Sequence, residues 1–75
     1  VEVVVQRDLL DAVGQALATL PLAQRAALEL KSMGYSLAEI AAAVEVSESN
    51  AGVLVHRARR GVADFLRVNY REESA

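Results

Sequence analysis

The stretch that decides the fold is Ser36–Arg60, S-L-A-E-I-A-A-A-V-E-V-S-E-S-N-A-G-V-L-V-H-R-A-R-R. Its opening serine is followed three residues later by Glu39, the spacing of a capping box, in which each side chain binds a free backbone N–H at the start of a helix. Ser47 is a second N-cap candidate, and Glu48 follows it in the first turn, where the helix dipole favours an acid. The stretch therefore predicts two short helices joined by a tight turn at Glu45–Val46.

Both predicted helices carry an apolar face. In the first, the residues at helical spacing are Leu37, Ile40, Ala41 and Val44. In the second, a narrow stripe that one helix must bury consists of Ala51, Val55, Ala58 and Val62. The opposite face of this second helix holds Ser49, Val53, His56 and Arg60, with Arg57 and Arg59 beside them. A short helix, a tight turn and a second helix with a polar, basic outer face are the plan of a helix-turn-helix.

The remainder of the chain predicts two more helices and no sheet. We expect an all-α fold, a single four-helix domain over residues 1–75, with the helix-turn-helix at its C-terminal end. The predicted helices cover about 4–19, 22–33, 37–44 and 48–67, and residues 69–75 are expected to fray. Pro21 suits the first position of the second helix, and Gly34 suits a left-handed cap after it. The apolar face of the first helix is expected to consist of Leu10, Val13, Leu17 and Leu20.

Composition excludes several classes of protein. Seventy-five residues allow one small domain. The chain has no cysteine and one histidine, so the sequence predicts neither disulfides nor a metal site. No apolar run approaches the length of a membrane span, and no signal peptide is visible, so we expect no membrane insertion. The chain opens with Val1 instead of methionine, which suggests a piece of a longer protein.

Charge is unevenly distributed along the chain, whose net charge is −2. Residues 1–46 hold six acids and three bases, net −3, and residues 47–75 hold four acids and five bases, net +1. Between Glu48 and Arg67, four arginines stand against two acids, net +2. A net negative chain is not typical of a strong nucleic-acid binder, but its positive charge lies on the last predicted helix.

Four motifs, in order along the chain, resemble those of one known family. They are L-P-x-x-x-R at Leu20–Arg25, G-Y-S-x-x-E-I-A at Gly34–Ala41, V-S at Val46–Ser47 and H-R-A-R-R at His56–Arg60. Together they resemble region 4 of bacterial sigma factors of the extracytoplasmic-function type. This resemblance implies a cytoplasmic domain whose last two helices read the −35 promoter element and which docks on RNA polymerase core. It also implies an anti-sigma factor that covers the domain.

The chain departs from that family pattern near the start of its last helix. Such proteins usually carry a basic and polar run here, often Lys-Ser-Arg, where this chain has Gly52, Val53 and Leu54. The departure favours a rival function, a module that binds an anti-sigma factor or RNA polymerase with little direct base readout. A second rival is the response-regulator type of helix-turn-helix, which shares the G-x-S-x-x-E-I-A pattern, although its last helix does not usually continue as H-R-A-R-R.

The residues expected to contact DNA lie along the last helix. Ser49 and Asn50 would face base edges, where asparagine can pair with adenine. Free N–H groups at the helix start suit a phosphate, as do the arginines further along, although Arg60 can instead contact a base. The full predicted set is Ser47, Ser49, Asn50, Val53, His56, Arg57 and Arg60.

Several residues of this helix also allow other interpretations, some of them purely structural. Ser47 can serve only as a cap, and the arginines can form a solvated surface that pairs with Glu48 or Asp64. Val53 and Leu54 can contact a thymine methyl group or form an apolar patch for a partner protein, and Leu54 also suits partial burial. We predict Leu54 and Arg59 as the residues that bind a partner protein.

The sequence contains no recognisable catalytic or metal-binding motif. There is no Gly-rich phosphate loop, no nucleophile motif and no pair of metal ligands at helical spacing. The sequence predicts a binding domain, without catalysis, a cofactor or a small-molecule substrate.

Overall fold

Four helices make up the fold in a computed structural model that describes residues 7–69. They are α1 (Arg7–Ala18), α2 (Leu22–Ser32), α3 (Leu37–Val44) and α4 (Glu48–Asn69). No strand occurs within these residues, so the all-α prediction is confirmed. The predicted start of the first helix at residue 4 and the predicted fraying of 70–75 lie outside the described residues.

The predicted helix bounds hold for α3 and need small corrections elsewhere. α1 ends one residue early, because the hydroxyl and the backbone N–H of Thr19 both bind the carbonyl of Ala16, at 2.7 and 3.1 Å, and tighten the last turn. α2 ends at Ser32, before Met33. α4 runs through Asn69, whose side-chain amide donates to the carbonyl of Phe65 at 3.0 Å, so the prediction that the tail begins at 69 is wrong.

Gly34 forms the left-handed cap that the sequence predicts. Its φ is 97°, and its N–H donates to the carbonyl of Lys31 at 3.0 Å. The N–H of Tyr35 donates to the carbonyl of Leu30 at 3.2 Å, which completes a Schellman motif. These bonds end α2 and turn the chain towards α3.

The start and end of α3 are fixed by side-chain and backbone hydrogen bonds. The N–H of Glu39 donates to the Ser36 hydroxyl at 3.1 Å, and the N–H of Ser36 donates to the Glu39 carboxylate at 2.8 Å, so the predicted capping box is confirmed. After the helix, Glu45 adopts φ 58°, and the N–H of Val46 donates to the carbonyl of Ala41 at 3.0 Å. This left-handed residue makes the tight turn that leads into α4.

A small apolar core joins α2, α3 and α4. It consists of Ala27, Ile40, Ala41, Ala51 and Val55, surrounded by the partly buried Leu28, Leu30, Leu37, Val44, Val46 and Leu54. The predicted stripe of α4 is buried at Ala51, Val55 and Ala58, while Val62 is only half-buried. Because this core lies on one side of α4, the other side of the helix faces solvent.

The buried face of α1 differs from the prediction. Leu10 is 59% exposed, and the other three predicted residues are half-buried. The buried residues are Ala12 and Ala16. Small side chains such as these allow helix axes to approach closely. Gly61 of α4 also lies close to a neighbour, because a Cβ placed on it would be only 2.7 Å from a terminal carbon of Leu20. The absence of a side chain at Gly61 makes room for Leu20, and α4 is continuous through this glycine.

Candidate nucleic-acid interface

The first turn of α4 is organised around the Ser47 hydroxyl. It accepts a hydrogen bond from the N–H of Asn50 at 3.0 Å and lies 3.4 Å from the Ser49 hydroxyl. The predicted cap is therefore confirmed. The side chains of Ser49 and Asn50 are exposed, and the Asn50 amide makes no hydrogen bond within the described part of the chain, so both remain available to a ligand.

The outer face of α4 is the exposed row formed by Ser49, Val53, His56 and Arg60. It lies opposite the buried stripe, as the sequence predicts. Residues four and seven apart share one face of a helix, so the row is continuous over about three turns. A row of this length matches the part of a recognition helix that enters a major groove.

Three arginines on or beside this outer face have no acidic partner among residues 7–69. Arg57, Arg59 and Arg60 are all exposed, and no ion pair between residues 7 and 69 involves them. Asp64, a predicted partner, is instead bound by Arg67 at 2.8 Å. The middle of α4 therefore presents three guanidinium groups that are not engaged by acids of the described chain.

Gly52 and Leu54, the two departures beside Val53, lie between the outer face and the core. Gly52 is half-buried, and a Cβ placed on it would lie 3.6 Å from a terminal carbon of Leu37 on α3. Leu54 is half-buried against the core, which agrees with the partial burial that the sequence allowed. Sequence reasoning missed the proximity of Gly52 to Leu37, because it depends on the crossing of two helices.

The described residues offer no sign of a catalytic or metal centre. No group of three or more His, Asp or Glu side chains within them is placed to hold a metal ion. An open cleft between α1 and the end of α4 is lined by Asp8, Asp11, Ala12, Gln15 and Asn69, away from the outer face. Over the same residues, no helix has the length and apolar character needed to cross a membrane.

Comparison with protein families decides the class of this helix-turn-helix. The family described as sigma-70, region 4 matches residues 10–60, more than half of the chain. The chain belongs to the sigma-70 region 4 family. This family comprises DNA-binding helix-turn-helix domains of sigma factors, which act with RNA polymerase in transcription. The matched residues include every predicted contact on the outer face. No curated protein and no solved structure matched the chain.

Family membership also bears on the rival interpretations. The resemblance to region 4 is confirmed, and the match favours a sigma factor over a response regulator. The family is one of DNA-binding domains and not of enzymes, consistent with the absence of catalytic motifs in the sequence.

Proposed function

We propose that this region 4 domain recognises the −35 promoter element as part of a sigma factor bound to RNA polymerase. The outer face of α4 enters the major groove. The observation that carries this proposal is the exposed row from Ser49 to Arg60, flanked by arginines that no described acid neutralises. The mechanism is binding, without turnover.

In this proposal, different parts of α4 contact different groups of the DNA. Ser49 and Asn50, in the first turn, face base edges, and the free N–H groups at Ser47–Ser49 bind a phosphate. Arg57 and Arg60 bind phosphates, which set affinity and salt dependence without carrying sequence information. His56 lies on the outer face about one turn before Arg60 and contacts the same DNA.

The weak overall charge implies that the domain does not act alone. A net charge of −2 gives little long-range attraction to DNA, even though the middle of α4 is basic. Attachment to RNA polymerase core raises the effective concentration of the domain at the promoter. In the proposal, RNA polymerase therefore strengthens the weak binding of the domain to the promoter, and the protein acts in the cytoplasm.

We assign the parent sigma factor to the extracytoplasmic-function type, with an anti-sigma factor as its inhibitor. The order of the motifs from Leu20 to Arg60 supports this assignment. Of the two predicted partner-binding residues, Arg59 is exposed and remains a candidate, whereas Leu54 packs against the core. The alternative, a protein-binding module with little base readout, loses support because Gly52 and Leu54 do not form an exposed patch.

Removing the Arg60 guanidinium tests the proposal. Wild type, Arg60→Ala and Arg25→Ala are compared in a salt titration of binding to a duplex selected by the chain from a randomised pool. Arg25 is the matched control, because it carries the same charge on α2 and is already engaged by Glu29 at 3.1 Å. If Arg60 binds a phosphate, Arg60→Ala lowers affinity and reduces the slope of log K against log salt by about 0.9.

We expect Arg25→Ala to leave the slope close to that of wild type. If both variants bind with the wild-type slope and affinity, Arg60 is not in the interface. Equal binding of wild type to the selected duplex and to a scrambled one would contradict promoter recognition by the chain.

A further inference from the structure

One apolar side chain stands on the otherwise polar outer face. Among the described residues of α4, the exposed large hydrophobic side chains are Val53, at 41%, and Val68, at 72%, near the end of the helix. Val68 lies well beyond the arginines. Within the part of α4 that carries the proposed DNA contacts, Val53 is therefore the exposed large hydrophobic residue.

Val53 is 41% exposed, so part of its side chain is open to solvent. Gly52 has no side chain and Leu54 packs against the core, so neither flanking residue folds over it. Ser49 lies one turn before it, about 6 Å along the axis at a rise of 1.5 Å per residue. Valine in a helix holds essentially one χ1 rotamer, so its two methyl groups occupy a fixed position relative to Ser49. A fixed apolar group is suited to discriminate between shapes.

Only one base presents an apolar group in the major groove. Thymine carries a C5 methyl there, whereas the other base edges offer hydrogen-bond donors and acceptors. A valine side chain can satisfy none of those polar groups, but it can bury a methyl group. We propose that Val53 is a specificity-determining residue that selects thymine at one base pair of the recognised element. This inference rests on the proposed function, because it requires the outer face of α4 to lie in the groove.

The geometry also limits where this thymine lies. The separation of about 6 Å between Ser49 and Val53 corresponds to about two base pairs at 3.4 Å each. The thymine is therefore expected within about two base pairs of the base that faces the first turn of α4.

Replacing thymine by deoxyuridine tests the inference, because it removes the C5 methyl and nothing else. A duplex selected from a randomised pool by the wild-type chain is resynthesised with deoxyuridine at each thymine in turn. Binding of each duplex is measured for wild type, Val53→Ala and Val68→Ala. Val68→Ala is the matched control, since it makes the same change at an exposed position of the same helix.

We expect deoxyuridine at one position to raise the wild-type Kd about three- to fourfold, the effect of one buried methyl group. Val53→Ala should reduce that penalty, because alanine is shorter than valine, and Val68→Ala should keep it in full. A penalty that is equal in wild type and Val53→Ala, or no penalty at any thymine, would overturn the inference while leaving promoter binding intact. If wild type does not prefer the selected duplex over a scrambled one, the proposed function fails and the inference fails with it.

Discussion

Gly61 shows how one missing Cβ atom positions a whole helix. Leu20, in the turn between α1 and α2, packs over this glycine, and an added Cβ would lie 2.7 Å from a terminal carbon of Leu20. Glycine in the middle of a helix is destabilising by about 1 kcal/mol relative to alanine. The close contact with Leu20 is what opposes that loss here.

Two of the helical glycines, Gly14 and Gly61, should therefore respond differently to alanine. A Cβ on Gly14 meets nothing within 4 Å, so Gly14→Ala is expected to raise the free energy of unfolding by about 1 kcal/mol. Gly61→Ala should raise the free energy of unfolding by less, because Leu20 must move to accept the new atom. The measurement is urea denaturation of both variants, followed by Gly61→Ala in a Leu20→Ala background.

In the Leu20→Ala background the Leu20 side chain no longer obstructs a Cβ at position 61. The increase in the free energy of unfolding from Gly61→Ala should then approach the increase from Gly14→Ala. Equal gains for the two single variants would show that Leu20 does not restrain α4 at Gly61.

At the scale of the element, α4 keeps its solvent-facing and core-facing residues on separate sides. Gly52 lies at the border between them, next to Leu37 of α3. The distance of 3.6 Å that a Cβ would have from Leu37 is an ordinary van der Waals contact, so a longer side chain can be accommodated. A lysine there can lay its stem along Leu37 and extend its ammonium group into solvent.

Gly52→Lys should consequently strengthen DNA binding. One additional phosphate contact makes the slope of log K against log salt steeper by about 0.9, and affinity rises at low salt. Gly14→Lys is the matched control, because it adds the same charge to α1 at a position without neighbouring atoms. Salt titrations of the three proteins on one selected duplex give the comparison.

If Gly52→Lys raises DNA affinity no more than Gly14→Lys does, position 52 does not reach DNA. It would support the rival function, in which this end of α4 contacts a protein partner.

Local features of the elements could be predicted from the sequence, and features that depend on helix crossings could not. The capping box at Ser36 and the left-handed cap at Gly34 involve residues at most five apart, so sequence spacing determines them. The outer face of α4 follows from helical periodicity in the same way. The exposure of Leu10 and the contact of Gly61 with Leu20 depend on how α1 lies on α4, which spacing does not encode.

The ion pairs of α4 show the same limit within the candidate site. Asp64 is four residues from Arg60 and three from Arg67, and both spacings allow a salt bridge on a helix. The structure pairs Asp64 with Arg67, which leaves Arg60 without a partner among residues 7–69. The choice depends on side-chain geometry that the sequence does not specify.

At the scale of the molecule, α4 is the axis on which the other helices are assembled. Its 22 residues span about 33 Å of a domain whose longest dimension is 42 Å. Its first half packs against α2 and α3 in the core, and its second half meets α1. The exposed acids Asp8 and Asp11 lie on α1, beside the end of α4. Charge therefore favours DNA at the middle of α4, where Arg57, Arg59 and Arg60 lie, and disfavours it at α1.

The most direct test of the central claim, that the outer face of α4 binds DNA, is an NMR titration of the ¹⁵N-labelled chain with a selected duplex. The largest amide shift changes should fall at Ser47–Asn50 and continue through Val53, His56, Arg57 and Arg60, with α1 nearly unchanged. Shift changes concentrated on α1, with the outer face of α4 unaffected, would contradict the account.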